Sequence, residues 1–158
     1  MADFSFRPVT RQDLPMLAGW LAQPEVAAWW RVPDHQIRLI REDLGHLVMR
    51  QVIACRADVP LGYAQYYPAR HWPAPHFADL PEDSIAIDVF GAPAGRGQGG
   101  AWLRELGDLL LREASTLAID PASDNHRAIR AYEKAGFAGD LVRTDSEGQP
   151  VRVMTRRR

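Results

Sequence analysis

A single cysteine, Cys55, in 158 residues excludes an internal disulfide and any cysteine-based structural zinc site, so no metal is expected. An excess of one charge is also missing. The 19 basic and 20 acidic side chains leave a net charge of −1, so nothing global marks a nucleic-acid binder, and local charge must select any partner. No run of about 18 apolar residues occurs, and no membrane association is expected. The opening MADFSFRPVTRQD carries charges where a secretory signal needs an apolar core, which makes the cytoplasm the expected location. Two familiar phosphate loops are absent as well. There is no Gly-Lys-Ser/Thr ending of a nucleoside-triphosphate loop, and no βαβ unit at the chain start with an acid about 20 residues downstream. Repeats and low-complexity tracts are lacking too. What remains, 46% hydrophobic and 25% charged residues, is the composition of one globular domain over residues 1–158 with a real core.

The chain is organised around residues 84–111, SIAIDVFGAPAGRGQGGAWLRELGDLLL. Ile85, Ile87 and Val89 alternate with smaller or polar residues, which predicts a strand ending at Gly91, Pro93 and Gly95. Trp102, Leu103, Leu106, Leu109 and Leu110 recur at steps of three and four, which predicts a helix with one buried face. Between them lie Gly95, Arg96, Gly97, Gln98, Gly99 and Gly100. Backbone without Cβ atoms at a helix N-terminus can aim several N–H groups at one anion, as a phosphate cradle does. A flexible turn has the same composition.

Elsewhere the pattern predicts a short strand at Phe4 and Phe6, then a helix capped by Thr10 and Asp13 with a face of Leu14, Leu17, Ala18 and Leu21. A second short helix is expected to carry Val26, Ala27 and the Trp29-Trp30 pair. Adjacent tryptophans cannot share a helix face, so one packs and the other looks elsewhere. Ile37, Ile40, Leu44, Leu47 and Val48 predict a third helix. Residues 51–56 and 61–67 read as antiparallel strands around a turn at 57–60. Residues 68–83, PARHWPAPHFADLPED, form a long loop with two histidines and three acids, Asp79, Glu82 and Asp83, expected at a site rim. Residues 116–120 form a strand parallel to 84–90 through a right-handed crossover. A helix from Asn125 to Ala135 closes at Gly136, strands follow at 141–144 and 151–155, and Arg156, Arg157 and Arg158 read as a solvated tail.

The glycine loop, followed by Asn125-His126-Arg127-Ala128-Ile129-Arg130-Ala131-Tyr132-Glu133-Lys134-Ala135-Gly136-Phe137, resembles the GCN5-related N-acetyltransferase (GNAT) superfamily over nearly the whole chain. Within it, Trp29-Trp30, Pro60-Leu61-Gly62-Tyr63-Ala64-Gln65, Ala86-Ile87-Asp88 and Asp120-Pro121 are similar to the aminoglycoside 6′-N-acetyltransferases. Ala94 departs from the superfamily, which often has Gln or Arg there.

The resemblance implies an α/β (α+β) fold: a central mixed, mostly antiparallel twisted sheet, flanked by helices, whose parallel strands at 84–90 and 116–120 splay apart. It implies acetyl-coenzyme A as co-substrate, with direct transfer to a primary amine, the 6′-amine of an aminoglycoside. Coenzyme would be held by the backbone of Val89 and Phe90, the loop from Gly95 to Gly100 and Asn125. Tyr132 would be the acid returning a proton to the thiolate, or else an ordinary core tyrosine. Asp88 would orient the acceptor ammonium and take its proton, since a carboxylate near pKa 3.9 is a weak base. Asp120, if not simply part of a turn, would bind another ammonium, and Trp29, Gln65 and Tyr67 would line the acceptor cleft. The expected state is a monomer or homodimer. Two alternatives remain: a siderophore-type hydroxylamine or lysine acyltransferase, whose histidine is absent from Ala86-Ile87-Asp88, and a non-catalytic coenzyme-binding module, which Ala94 would suit.

Overall fold

In the computed structural model, which describes residues 3–158, the strands are β1 (Ser5–Pro8), β2 (Arg50–Arg56), β3 (Val59–Pro68), β4 (Ser84–Gly91), β5 (Thr116–Ile119), β6 (Ala138–Thr144) and β7 (Pro150–Arg157). Their order in the sheet is β1-β2-β3-β4-β5-β7-β6. The helices are α1 (Leu14–Leu21), α2 (Pro24–Ala27), α3 (Pro33–Glu42), α4 (Gly99–Leu110) and α5 (His126–Lys134). This is the mixed α/β sheet with one parallel pair that the sequence implied. None of the described helices is long and apolar enough to cross a membrane. By its contacts the chain divides into two units, one comprising the residues up to Gln65 with Val89–Gly99, the other Tyr66–Asp88 with Gly100–Arg158.

In the first unit β1 and β2 are antiparallel, with Ser5 opposite Cys55 and Pro8 opposite Val52. Asp13 ties the start of α1 to β1. Its carboxylate accepts an N–H from each of two Arg7 guanidinium nitrogens at 2.8 Å and the Thr10 N–H at 2.8 Å, which, Arg7 foremost, hold its pKa below the usual carboxylate value. Leu14, Leu17, Trp20 and Leu21 then face a core completed by Val26, Ile40, Ile53, Cys55, Tyr63 and Phe90. Three expectations need correction here. α2 ends at Ala27, before the tryptophans. α3 stops at Glu42 instead of running through Val48, because Gly45 takes a left-handed φ of +75° and turns the chain outward, leaving Leu47 90% exposed. The β2–β3 turn needs only Ala57 and Asp58, since Ala57 adopts φ +51°, so Val59 and Pro60 belong to the strand.

In the second unit β4 and β5 run parallel but pair only at Ser84–Thr116, Ile85–Leu117 and Ala86–Ala118. The ladder therefore ends before Ile87 and Asp88. That is the splay the resemblance implied, and it frees the polar groups at both strand ends from ladder bonding. β5 continues antiparallel to β7, and β7 to β6. α4 buries Trp102, Leu103, Leu106 and Leu110 as the spacing predicted. The arginine tail has partners as well as solvent: Arg157 and Arg158 are exposed as expected, while Arg156 is half-buried. Arg156 and Arg157 extend β7 opposite Leu117 and Thr116; Arg156 pairs with Asp108, and Arg158 donates to the carbonyls of Leu111 and Ala114. Two of the loop acids have partners: Asp79 pairs with Arg143, and Asp83 accepts the N–H and Oγ–H of Ser115. Both assignments depend on partners far away in sequence.

Candidate active site

Where the β4–β5 ladder gives out, the chain places two carboxylates and two phenols in one electrostatic neighbourhood of the second unit. Burial, then Asp88, then Asp120 push the Tyr67 hydroxyl above the ordinary phenol value, and the same three causes act in the same order on Tyr132. Both phenols therefore stay protonated through neutral pH. Asp88 lies on β4, Asp120 immediately follows β5, Tyr67 is near the end of β3 and Tyr132 projects from α5. All four are residues that the sequence reading names, Tyr132 and Asp88 for the chemistry and Tyr67 and Asp120 for the acceptor.

It missed the partner of Asp120. His76, in a one-turn helix of the proline-rich loop, places Nε2 2.7 Å from Asp120 Oδ2, and its side chain is only 5% exposed. Its Nδ1 is buried with no hydrogen-bond partner among the described residues. A separation of 44 residues hid the pair, and the only sequence signal was a histidine in a long ordered loop. Beside the pair opens a cavity of about 390 Å³ lined by Tyr67, Trp72, His76, Asp120, Asp145 and Glu147, among others. Trp72 stands edge-on to Tyr67 with ring centroids 5.2 Å apart. Asp145 is committed to its own turn, where it accepts the N–H of Glu147 and Gln149.

Asn125 caps α5, its side-chain oxygen accepting the Ala128 N–H at 3.3 Å. That leaves its amide NH₂ as the end able to serve a ligand. Gly100, the second residue of α4, is required by packing: a Cβ there would lie 2.9 Å from the Ala131 carbonyl oxygen.

In the first unit the glycine loop begins with a turn over Pro93–Gly95. The N–H groups of Gly95, Arg96 and Gln98 bond to the carbonyls of Ala92, Pro93 and Gly95. Those of Gly97 and Gly99 are not spent in these turns, and a Cβ at either position would meet nothing within 4 Å. Gly97 has a φ of +82°, which a non-glycine residue would resist. Gly95 serves a different end from the one anticipated. It packs on the backbone of Leu61, where a Cβ would be 2.0 Å from the carbonyl oxygen. Arg96 pairs with Glu25. Gln98 donates to the Ala94 carbonyl, while its Oε1 is buried without a hydrogen-bond partner among the described residues.

The tryptophans divide their roles. Trp30 packs edge-on to Phe90 and Tyr63 and donates its indole N–H to the Val89 carbonyl at 3.2 Å, whereas Trp29 is 41% exposed. Phe90 stacks on Tyr63 at 4.8 Å. Phe90 is thereby buried in the core, and the Val89 carbonyl is taken by Trp30. Gln65 accepts the Tyr63 hydroxyl proton at 2.8 Å; Gln51 donates both to that hydroxyl and to the Ile40 carbonyl.

Comparison with known proteins matches residues 9–141 to the family model described as an acetyltransferase (GNAT) domain. The aminoglycoside N(6′)-acetyltransferase type 1 of Klebsiella pneumoniae is 31% identical over 166 residues, covering 97% of this chain and 83% of that protein. Among solved structures, aminoglycoside acetyltransferase AAC(6′)-Ib in complex with coenzyme A and kanamycin is 32% identical with a TM-score of 0.82, covering 98% of this chain and 95% of that one. A spermidine N-acetyltransferase from Vibrio cholerae shares the fold at 16% identity, with a TM-score of 0.69 over 97% of this chain and 94% of that one.

Proposed function

The chain belongs to the GNAT acetyltransferase family, and on that premise we propose that it moves the acetyl group of acetyl-coenzyme A directly onto the 6′-amine of an aminoglycoside. The observation that carries the acceptor reading is the joint field of Asp88 and Asp120 on Tyr67 and Tyr132. Two carboxylates concentrated in one place, on a protein of net charge −1, suit a polycation.

Acetyl-coenzyme A supplies the acetyl group as an activated thioester. The uncommitted amides of Gly97 and Gly99, with the N-terminus of α4, suit its pyrophosphate. Arg96 and Gln98 flank that loop, Gly95 and Gly100 brace it through packing, and the backbone of Val89 and Phe90 and the amide of Asn125 suit its pantetheine amides. Asp88 orients the acceptor ammonium and takes its proton, directly or through water. Tyr132, kept protonated by its surroundings, donates to the departing sulfur. Asp120 and Tyr67, with Trp29 and Gln65, bind the acceptor. We read residues 1–158 as one catalytic domain, supported by the family match over residues 9–141, acting in the cytoplasm as a monomer or homodimer.

The test is acetylation of kanamycin and tobramycin, followed by release of the coenzyme thiol. Asp88→Asn should lower kcat while leaving coenzyme binding intact. Asp120→Asn should mainly raise the acceptor KM, by the equivalent of about 1.5–3 kcal/mol, and less so in high salt. If the parent accepts a hydroxylamine or a peptide and no aminoglycoside, the acceptor assignment is wrong.

A further inference from the structure

Asp120 does not meet the cavity as a free carboxylate. Its Oδ2 lies 2.7 Å from His76 Nε2, and its side chain is 27% exposed against 5% for the imidazole. A carboxylate can only accept, so His76 Nε2 carries a proton in either charge state of the ring. The ring itself is held fast. It packs against Phe77 at 4.3 Å between centroids, on a turn flanked by Pro73 and Pro75. Oδ2 is thereby directed toward the loop, and Oδ1 is the oxygen to which no described residue donates.

We infer that His76 is a positioning residue for the acceptor: it fixes the Asp120 carboxylate so that Oδ1 meets an ammonium group. This rests on the aminoglycoside reading above. The cavity beside the pair is lined by Asp145 and Glu147 of the β6–β7 turn and by Tyr67, with no lysine or arginine among its lining residues; Arg143, on the strand packed against the His76 turn, is paired with Asp79.

The experiment compares kcat and KM for kanamycin, with coenzyme KM as control, in the parent, His76→Ala, His76→Gln, Asp120→Asn and His76→Ala/Asp120→Asn. His76→Ala should raise the acceptor KM on the order of 10-fold, the loss of one charge-assisted contact, with kcat and coenzyme KM little changed. His76→Gln, whose amide places an N–H near the same point, should recover most of the loss. Because His76 acts through Asp120, adding His76→Ala to Asp120→Asn should change nothing further. Should His76→Ala fail to fold, His76→Asn, too short to reach Asp120, takes its place. Equal KM increases from His76→Ala in both backgrounds, or no rescue by glutamine, would overturn the role. A parent that acetylates no kanamycin would instead overturn the acceptor reading itself.

Discussion

Gly95→Ala should unfold the protein more readily without first touching its chemistry. The added Cβ would stand 2.0 Å from the Leu61 carbonyl oxygen, 2.8 Å from its carbon and 3.0 Å from its Cα. All three atoms are backbone, so no rotamer change relieves the clash. That oxygen also accepts the Ala92 N–H at 2.9 Å, a bond that would be strained as the loop moves off by about an ångström. Overpacking of about 1–3 kcal/mol and a weakened hydrogen bond of about 1 kcal/mol give a loss of roughly 2–4 kcal/mol. For a chain of this length that is a fall in Tm of roughly 5–15 °C. Gly99→Ala is the control, since nothing lies within 4 Å of its Cβ position. It should keep or slightly raise stability, by up to about 1 kcal/mol from helix propensity, and raise the coenzyme KM by crowding the proposed anion site. Urea unfolding followed by tryptophan fluorescence, with coenzyme titration of each variant, separates the two effects. A Gly95→Ala protein as stable as the parent but poor in coenzyme binding would refute the argument.

Tyr132→Phe should lower kcat by about 10²-fold or more, the usual scale of a lost general acid, with coenzyme binding unchanged. Because its hydroxyl is raised above the ordinary phenol value, Tyr132 should add no alkaline limb to the kcat profile of the parent below about pH 10. Asp13→Asn should destabilise the protein by about 1–2 kcal/mol at pH 7, discounted for the exposed side of Arg7. The folded pKa of Asp13 is lowered, so this contribution is present above the unfolded value and lost as pH falls through the folded one; thermal melts of the two proteins should converge in acid. Trp30→Phe should cost at least the indole hydrogen bond, about 0.5–1.5 kcal/mol, whereas Trp29→Ala should leave stability within about 0.5 kcal/mol and raise the acceptor KM.

What local pattern controls was legible in the sequence. The periodicity of Trp102 to Leu110 fixed the buried face of α4, and the glycine junction located the end of β4 and the start of that helix. Asp88, Asp120, Tyr67 and Tyr132 could be named from the sequence because a recognisable family pattern carries long-range geometry that periodicity does not. What failed was set by partners distant along the chain. Nothing near Arg156 shows that Asp108 will hold it, and nothing near Asp120 points to His76. Leu47 looked like a core position because its spacing continued that of α3, yet Gly45 ended the helix first. Gly95 looked like a ligand-binding glycine, and only the approach of Leu61 reveals its steric duty.

The hydrogen bonds running from Ile40 to Gln65 have a direction. A carbonyl can only accept, so Ile40 turns the NH₂ end of Gln51 toward itself, and that same NH₂ donates to the Tyr63 hydroxyl. The hydroxyl, with one proton to give, passes it to Gln65 Oε1. A main-chain oxygen on α3 thus dictates, three links away, that the Gln65 amide turns its Oε1 and not its NH₂ toward Tyr63. Gln65→Glu would keep the shape and the acceptor for Tyr63, so which way this side-chain amide faces is a choice made in the protein interior.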